Sequence, residues 1–418
     1  MTKRLILAFV FLSWHLVACS NGDSGISSGL PDKPSAEEDS PGTETISEEM
    51  RVKITGEDLY ISAKLDAKTD ILYWFKKCMF NELFTFYRVG TIDNNMPAPA
   101  TLPDVSPTSL LNLAYSDNIG PFNITGYGWC GGNHPYLDEV TQTARNIGYR
   151  IYIDGKEIKT DLSTLTKEIK IEVINEIMNP SKADTSSGKT LLNEILCIET
   201  VNYSIYRNNI QVLVTHEFQN ESPVTVQMYY GMQSMFDKET HTLTANGKYV
   251  DWTVQKDVST FTKKEYPSFR RFIEKSANVY QSSYLFADGL GNHEEISDDD
   301  IIFIGNSSNK TYHKIIADRE HKKGDIIHWS GVYTWFKSPV SDDDDLLCYE
   351  GVIDNKKVLF IDCKKNVDRT IQLPVDYTKK SFTIIEKSKS ITITGNKVTA
   401  KGLRIVSDGS GSCVITFD

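Results

Sequence analysis

Hydrophobic and polar positions alternate with period two along much of the chain. Ile169/Ile171/Val173, Ile210/Val212/Val214, Val224/Val226/Met228/Tyr230 and Ile391/Ile393 each put apolar side chains on one side of an extended segment. This pattern predicts β-strands with one buried face. Asp154-Gly155, Asn246-Gly247 and Gly395-Asn396 supply turn chemistry between such segments, and neither a βαβ alternation nor a repeat of fixed period is present. Two stretches break the pattern. Phe269, Phe272, Ile273, Ala277 and Tyr280, following Pro267-Ser268, have helical spacing, and residues 71–87 read either way. The expected fold is all-β and mainly antiparallel, as one large β-supersandwich or two packed β-sandwiches with few short helices.

The N-terminus reads as an address. Lys3 and Arg4 precede the apolar run Leu5 to Leu12, and Leu16-Val17-Ala18-Cys19 follows. The apolar run is too short for a membrane span, which needs about 20 residues. Residues 1–18 therefore form a secretory signal, and Leu16 to Cys19 resembles the bacterial lipobox, which implies a diacylated Cys19 and the kind of surface lipoprotein found in Bacteroidota. Acyl chains hold a protein on a bilayer at about 0.8 kcal/mol per buried CH₂. Ser20 rather than Asp follows the cysteine, which favours the outer membrane. Residues 19–50 form a tether: seven Ser, four Gly, three Pro and eight acidic residues against Lys33 cannot bury a core. Beyond it, 51–340 is expected to be the main β-sandwich domain. Residues 341–418 then pack on it as further strands or form a small second sandwich.

Charge and cysteines narrow the partners. The 418 residues carry 45 Lys+Arg and 56 Asp+Glu, a formal charge of −11, which disfavours nucleic acid. Aromatic content is 11%, with 20 Tyr and 18 Phe, which suits strands. Cys78, Cys130, Cys197, Cys348, Cys363 and Cys413 remain after Cys19 without any CxxC spacing. A hairpin with Asn355-Lys356 at its tip sets Cys348 opposite Cys363, as a disulfide or as two small buried side chains.

Several motifs fail on context. Gly25-Ile26-Ser27-Ser28-Gly29 fits G-x-S-x-G but lies in the tether. Gly188-Lys189-Thr190 has the ending of a P-loop, yet Ala183 stands where its first glycine belongs. No metal or cofactor motif is present, and the acidic runs Asp298 to Asp300 and Asp342 to Asp345 read as solvated loops. Three constellations remain. Gly131-Gly132-Asn133-His134-Pro135-Tyr136, near Tyr127-Gly128-Trp129 and Arg145, forms a loop whose backbone can approach a ligand. His216 falls in phase with the apolar Ile210, Val212, Val214 and Phe218, and a hairpin closing over 219–223 sets it beside Val226. An ionisable group on such a face is satisfied or functional. Trp329, Gly331, Tyr333 and Trp335 share one strand face, as a core or as a platform for sugar rings.

The run from Ser116 to Gln233 carries a resemblance. Asp117-Asn118-Ile119-Gly120-Pro121, Gly131 to His134, Thr143-Ala144-Arg145, Asp154-Gly155-Lys156 and Tyr229-Tyr230-Gly231-Met232-Gln233 resemble a β-rich module of secreted and phage-tail proteins from carbohydrate-handling systems. The alternation and the ending Tyr229-Tyr230-Gly231 are also similar to the galactose mutarotase-like supersandwich, shared by sugar epimerases, glycan-binding domains and some polysaccharide lyases. No catalytic pattern of that family matches residue by residue.

Three functions follow as expectations. The first is an envelope lipoprotein, anchored only through its lipid, that binds a glycan on Trp329, Tyr333 and Trp335 with His216 nearby. The second is a lyase on uronate-containing glycan, with His134 or Tyr136 as base and Asn133 or Arg145 facing the carboxylate; an epimerase pairing His134 with His216 is its variant. The third is a protein-binding adhesin.

Overall fold

The computed structural model describes residues 46–107, 109–113, 119–235, 241–251, 259–261, 270–276, 279–286, 302–305 and 310–418. The signal segment, Cys19, the tether up to residue 45, Ser116 to Asn118, Pro267 to Phe269, Ala277 and Asp298 to Asp300 lie outside the described residues.

Alternation becomes burial where the strands run. Ile169, Ile171 and Val173 are buried while Lys170 between them is exposed. Ile210, Val212, Val214, His216 and Phe218 all point inward. The described residues form an all-β protein of antiparallel sheets, with two short 3-10 turns at Pro180–Lys182 and Val375–Tyr377.

The largest sheet has ten strands. Its order is Tyr249–Asp251, His241–Thr244, Arg270–Ser276, Val279–Leu285, Ile326–Phe336, Asn209–Phe218, Ile195–Tyr206, Ile169–Met178, Ala144–Ile153 and Lys156–Ile158. One face of this central sheet packs on two six-stranded sheets through a shared core. The N-terminal one, with Met50–Thr55, Asp58–Asp66, Thr69–Cys78 and Leu83–Asp93, contributes Ile71, Tyr73, Phe75 and Phe86. The outer one, with Lys310–His321, Val224–Met235, Pro121–Ile124 and Gly128–Gly131, contributes Phe122, Ile124, Val226 and Tyr229. Aromatic rings interlock across this interior, such as Phe75 and Phe86 on Tyr203 and Tyr73 on Trp335.

Residues from Ser341 onward form a five-stranded and a three-stranded sheet around their own core, which includes Leu346, Ile361, Leu403 and Ile415. The other face of the five-stranded sheet meets the central sheet, where Tyr349 and Phe360 pack with Tyr284, Val332 and Phe336.

Three sequence expectations need correction here. The segment with helical spacing is a hairpin of Arg270–Ser276 with Val279–Leu285. Arg271 to Glu274 are all buried, because this strand is covered on both faces, so no alternation remained to mark it as a strand. Next, Asn209–Phe218 and Val224–Met235 do not pair. The first lies between Ile195–Tyr206 and Ile326–Phe336 in the central sheet, and the second is in the outer sheet. The connection crosses between layers, held by Asn220 Nδ2 on the His321 carbonyl at 3.0 Å, so His216 faces Glu199 and Ile327 rather than Val226. Last, the hairpin at 354–355 turns on Asp354-Asn355, with φ of 49° and 59°. A two-residue turn of this kind needs positive φ at both positions, which Asp and Asn tolerate better than Lys. The register therefore sets Cys348 opposite Ile361 and Cys363 opposite Leu346, and both thiols are free and buried. The ambiguous 71–87 stretch belongs to two strands, Thr69–Cys78 and Leu83–Asp93.

Candidate functional site

The stripe Trp329, Tyr333, Trp335 does share one face, but that face is the core. Their exposures are 0%, 1% and 0%. Trp329 Nε1 donates to the Tyr229 hydroxyl at 2.9 Å, Tyr333 to the Gln233 carbonyl at 2.7 Å and Trp335 Nε1 to Gln281 Oε1 at 3.0 Å. Each polar handle is thus satisfied inside the protein. The gap at Gly331 is filled by Met232, whose Sδ would stand 2.7 Å from an added Cβ. These residues cannot offer a platform to a sugar.

His216 is equally interior, with its ring T-shaped against Phe122 and Tyr229 at 4.9 Å each. It ends a polar ladder built on cross-strand partners of the central sheet. Asn146 Nδ2 donates to Asn175 Oδ1, Asn175 Nδ2 to Glu199 Oε1, and Glu199 Oε2 meets His216 Nε2, each at 2.9 Å. Beside it lies a cavity of about 20 Å³ lined by Asn133, Asn175, Glu199, Thr85 and Tyr203. Such a space suits one water, whereas a ligand site needs several hundred Å³. The ladder is a core network, paired along its length down to His216 Nε2, while the buried His216 Nδ1 has no partner among the described residues.

The glycine loop divides the four expected catalytic residues. Asn81, buried, holds the loop by donating to the Gly132 carbonyl at 2.8 Å and accepting from the Thr143 amide at 3.0 Å. This turns Asn133 inward to the small cavity at 4% exposure. Arg145 is exposed and ion-paired with Glu176. Only His134 and Tyr136 come together, with ring centroids 5.7 Å apart. The roomier hollows of 400 to 700 Å³ are lined by none of the residues expected to bind or to catalyse.

What His134 and Tyr136 join is a row of half-buried rings on the outward side of the outer sheet. Tyr136 lies 6.2 Å from Trp129 with planes 30° apart, Trp129 lies 5.8 Å from Tyr230 at 23°, and Tyr230 lies 4.8 Å from Tyr312 at 35°. Trp129 comes from Gly128–Gly131, Tyr230 from Val224–Met235 and Tyr312 from Lys310–His321. These are the spacings of ordinary packed aromatic pairs, and each ring of the row remains partly exposed.

Two irregularities build this row. Pairing of Val224–Met235 with Pro121–Ile124 shifts between Val226 and Met228, so Val226 and Tyr229 both face inward while Met228 and Tyr230 turn out. The sequence pattern, which put Met228 and Tyr230 on the same side as Val226, missed this inversion. Gly120 then lies so close under Tyr230 that a Cβ would collide with its carbonyl oxygen, and its φ of +93° also demands glycine. Trp129 and Tyr230 stood in the sequence as neighbours of the glycine loop and as part of the Tyr-Tyr-Gly ending, and Tyr312 carried no signal.

Other groups were hidden by the helical reading. Glu274 is fully buried in the central sheet, accepts from Thr311 Oγ1 at 2.5 Å, and burial pushes its carboxyl up to about 7. Arg271 is fully buried beside it in sequence and pairs with Asp362 of the C-terminal five-stranded sheet. The acidic run 342–345 is met by cations, with Asp342 to Lys364 at 3.0 Å, Asp343 to Arg369 at 2.7 Å and Asp345 to Lys365 at 2.9 Å.

No protein-family model and no curated protein matches the sequence. Among solved structures the chain is similar to the α-galactosidase AgaB of glycoside hydrolase family 36 from Geobacillus stearothermophilus, with a TM-score of 0.38 and 10% identity over 69% of this chain and 41% of that one. A family 97 glycoside hydrolase from Pseudoalteromonas sp. strain K8 gives 0.33 and 6%, over 68% of this chain and 35% of that one. A polysaccharide lyase gives 0.29 and 8%, over 82% and 45%. The chain spans less than half the length of each of these proteins.

Proposed function

We propose that this protein recognises carbohydrate on the outward side of its outer sheet, along Tyr136, Trp129, Tyr230 and Tyr312, with His134 at one end. The single observation that carries the reading is that row of half-buried rings at 4.8–6.2 Å steps. An aromatic face is electron-rich and apolar, so it accepts the C–H side of a sugar ring while hydroxyls stay in reach of polar groups around it. Half-buried Asn123, Lys314 and His134 are the polar groups at hand. In this reading the protein is exported and held on the outer membrane by diacylated Cys19.

Titration against a panel of neutral oligosaccharides tests the site. For the best ligand, Trp129→Ala is expected to cost about 2 kcal/mol, about thirtyfold in affinity, and Tyr230→Ala a similar amount. Trp335→Phe, deep in the core, leaves affinity unchanged. Equal affinity in the wild type and Trp129→Ala counts against the site. The anchor has its own test. Cys19→Ala is expected to move the protein from the membrane fraction to the soluble fraction of its host, and retention in the membrane would remove the lipid from the account.

A further inference from the structure

The N-terminal sheet carries a second, differently built surface. Its inner side is sealed by Ile71, Tyr73 and Phe75. One end of its outer side is covered by the segment that follows Asp93: Leu102 packs on Leu72 and Ile92, and the Ala100 amide donates to Asp70 at 2.7 Å. Asp70 also holds the fully buried Lys64 at 2.8 Å. Past that cover lie three half-buried rings. Tyr60 and Trp74 stand 5.4 Å apart with planes 25° apart, and Tyr87 meets Trp74 edge-on at 4.9 Å.

Ordinary alternation puts Lys76 on the side of Trp74, and a bulge brings Arg88 there too. Phe75 pairs with Phe86 but Trp74 pairs with Arg88, so Tyr87 is the extra residue. With two residues set against Trp74, both Tyr87 and Arg88 reach the outer side, where regular pairing would have turned Arg88 to the core. The Arg88 guanidinium carbon lies 5.0 Å from the Tyr87 ring centre and 6.0 Å from that of Trp74. Lys76 Nζ lies 4.3 and 4.5 Å from the same two centres. Asp58 accepts from Trp74 Nε1 at 2.8 Å and so stands at the edge of the rings, while Glu57 pairs with Lys77 at 3.1 Å. Among the described residues, neither Lys76 nor Arg88 has a carboxylate within ion-pair distance.

Two like charges gathered on one pair of rings repel each other unless an anion joins them. The chain as a whole carries −11, so this cationic spot is local and does not belong to a general basic surface. We propose that Lys76, Arg88, Tyr60, Trp74 and Tyr87 form a binding site for an acidic saccharide, distinct from the Trp129 row. A sugar ring lies on Tyr60 and Trp74, and its carboxylate or sulfate is shared by Lys76 and the planar fork of Arg88.

Affinity electrophoresis and calorimetry of the full chain with polygalacturonate, dextran sulfate, neutral dextran and single-stranded DNA test the site. Binding of polygalacturonate or dextran sulfate, with neutral dextran and DNA at least about tenfold weaker, is the expected result. The stronger of the two identifies carboxylate or sulfate as the anion. Lys76→Gln/Arg88→Gln is expected to lose at least about tenfold in that affinity while Trp129→Ala keeps it, so failure here and failure of the Trp129 reading are separable. If the double variant melts early, Arg88→Lys serves instead: it keeps the charge, loses the fork, and weakens binding by a smaller factor. DNA binding as tight as polygalacturonate, or acidic-glycan binding unchanged in the folded variants, overturns the proposal.

Discussion

Arg271→Met is expected to destabilise the protein by about 3–5 kcal/mol, the cost of leaving one charge of a buried pair without its partner. Arg271 and Asp362 are 0% and 1% exposed, and their pairing is a fully buried ionic link between the central sheet and the five-stranded C-terminal sheet, beside the more exposed pair of Lys275 with Asp342 at 3.6 Å. Ser412 completes the junction, accepting from Arg271 Nε at 2.7 Å and donating to Asp362 Oδ1 at 2.6 Å. Around it lies an apolar contact of Tyr284, Val332, Tyr349 and Phe360. Because the surroundings are apolar, Arg271→Met/Asp362→Leu is expected to recover most of the loss. Urea unfolding of the two variants decides this. A single variant as stable as the wild type, or a double variant no better than the single, contradicts the account.

Glu274→Gln is expected to change how stability depends on pH. The folded carboxyl titrates at about 7 against an ordinary 4.5, because burial disfavours its charge. Below pH 4.5 both folded and unfolded chains hold the proton, so the residue costs nothing. Between 4.5 and 7 the unfolded chain gives it up while the folded chain does not, and stability falls. Above 7 the loss is complete. At about 1.4 kcal/mol per pH unit the total is ~3 kcal/mol. Gln keeps an acceptor for Thr311 without titrating, so the variant should match the wild type near pH 4.5 and exceed it by ~3 kcal/mol at pH 8. Parallel pH profiles would mean that the wild-type carboxyl ionises in place.

The layered β fold was legible because most strands bury one face. Ile169 to Val173 and Ile210 to Phe218 show their burial in their spelling. Legibility failed where both faces are covered. Arg270–Ser276 lies between the outer and C-terminal sheets, so polar and apolar residues alike are buried and the remaining apolar spacing imitates a helix. The same ambiguity hid the fate of Trp329, Tyr333 and Trp335: sharing a face is a property of the strand, but exposure of that face depends on which sheet lies over it.

The candidate sites were legible only in part, and bulges are the reason. Tyr230 faces outward because pairing slips between Val226 and Met228, and Arg88 does so because Tyr87 is extra. A slip of one residue reverses every side chain beyond it. Pairing partners decide where the slip falls: for Tyr230 the partner is the distant strand Pro121–Ile124, and for Arg88 it is the preceding strand Thr69–Cys78, whose spelling does not mark the extra residue. His134 and Tyr136 were found because glycines and aromatics crowd their loop, while Asn133 and Arg145 were grouped with them by closeness in sequence. The fold then spends Asn133 on the interior and Arg145 on Glu176.

The most direct measurement of the central claim is a titration of neutral oligosaccharides into the protein, followed by tryptophan emission, in the wild type and in Trp129→Ala. Sugar covering Trp129 takes its ring out of water, so the account predicts a saturable emission change that is lost in Trp129→Ala and kept in Lys76→Gln/Arg88→Gln. A saturable change that survives loss of Trp129, or no change with any glycan, would contradict it.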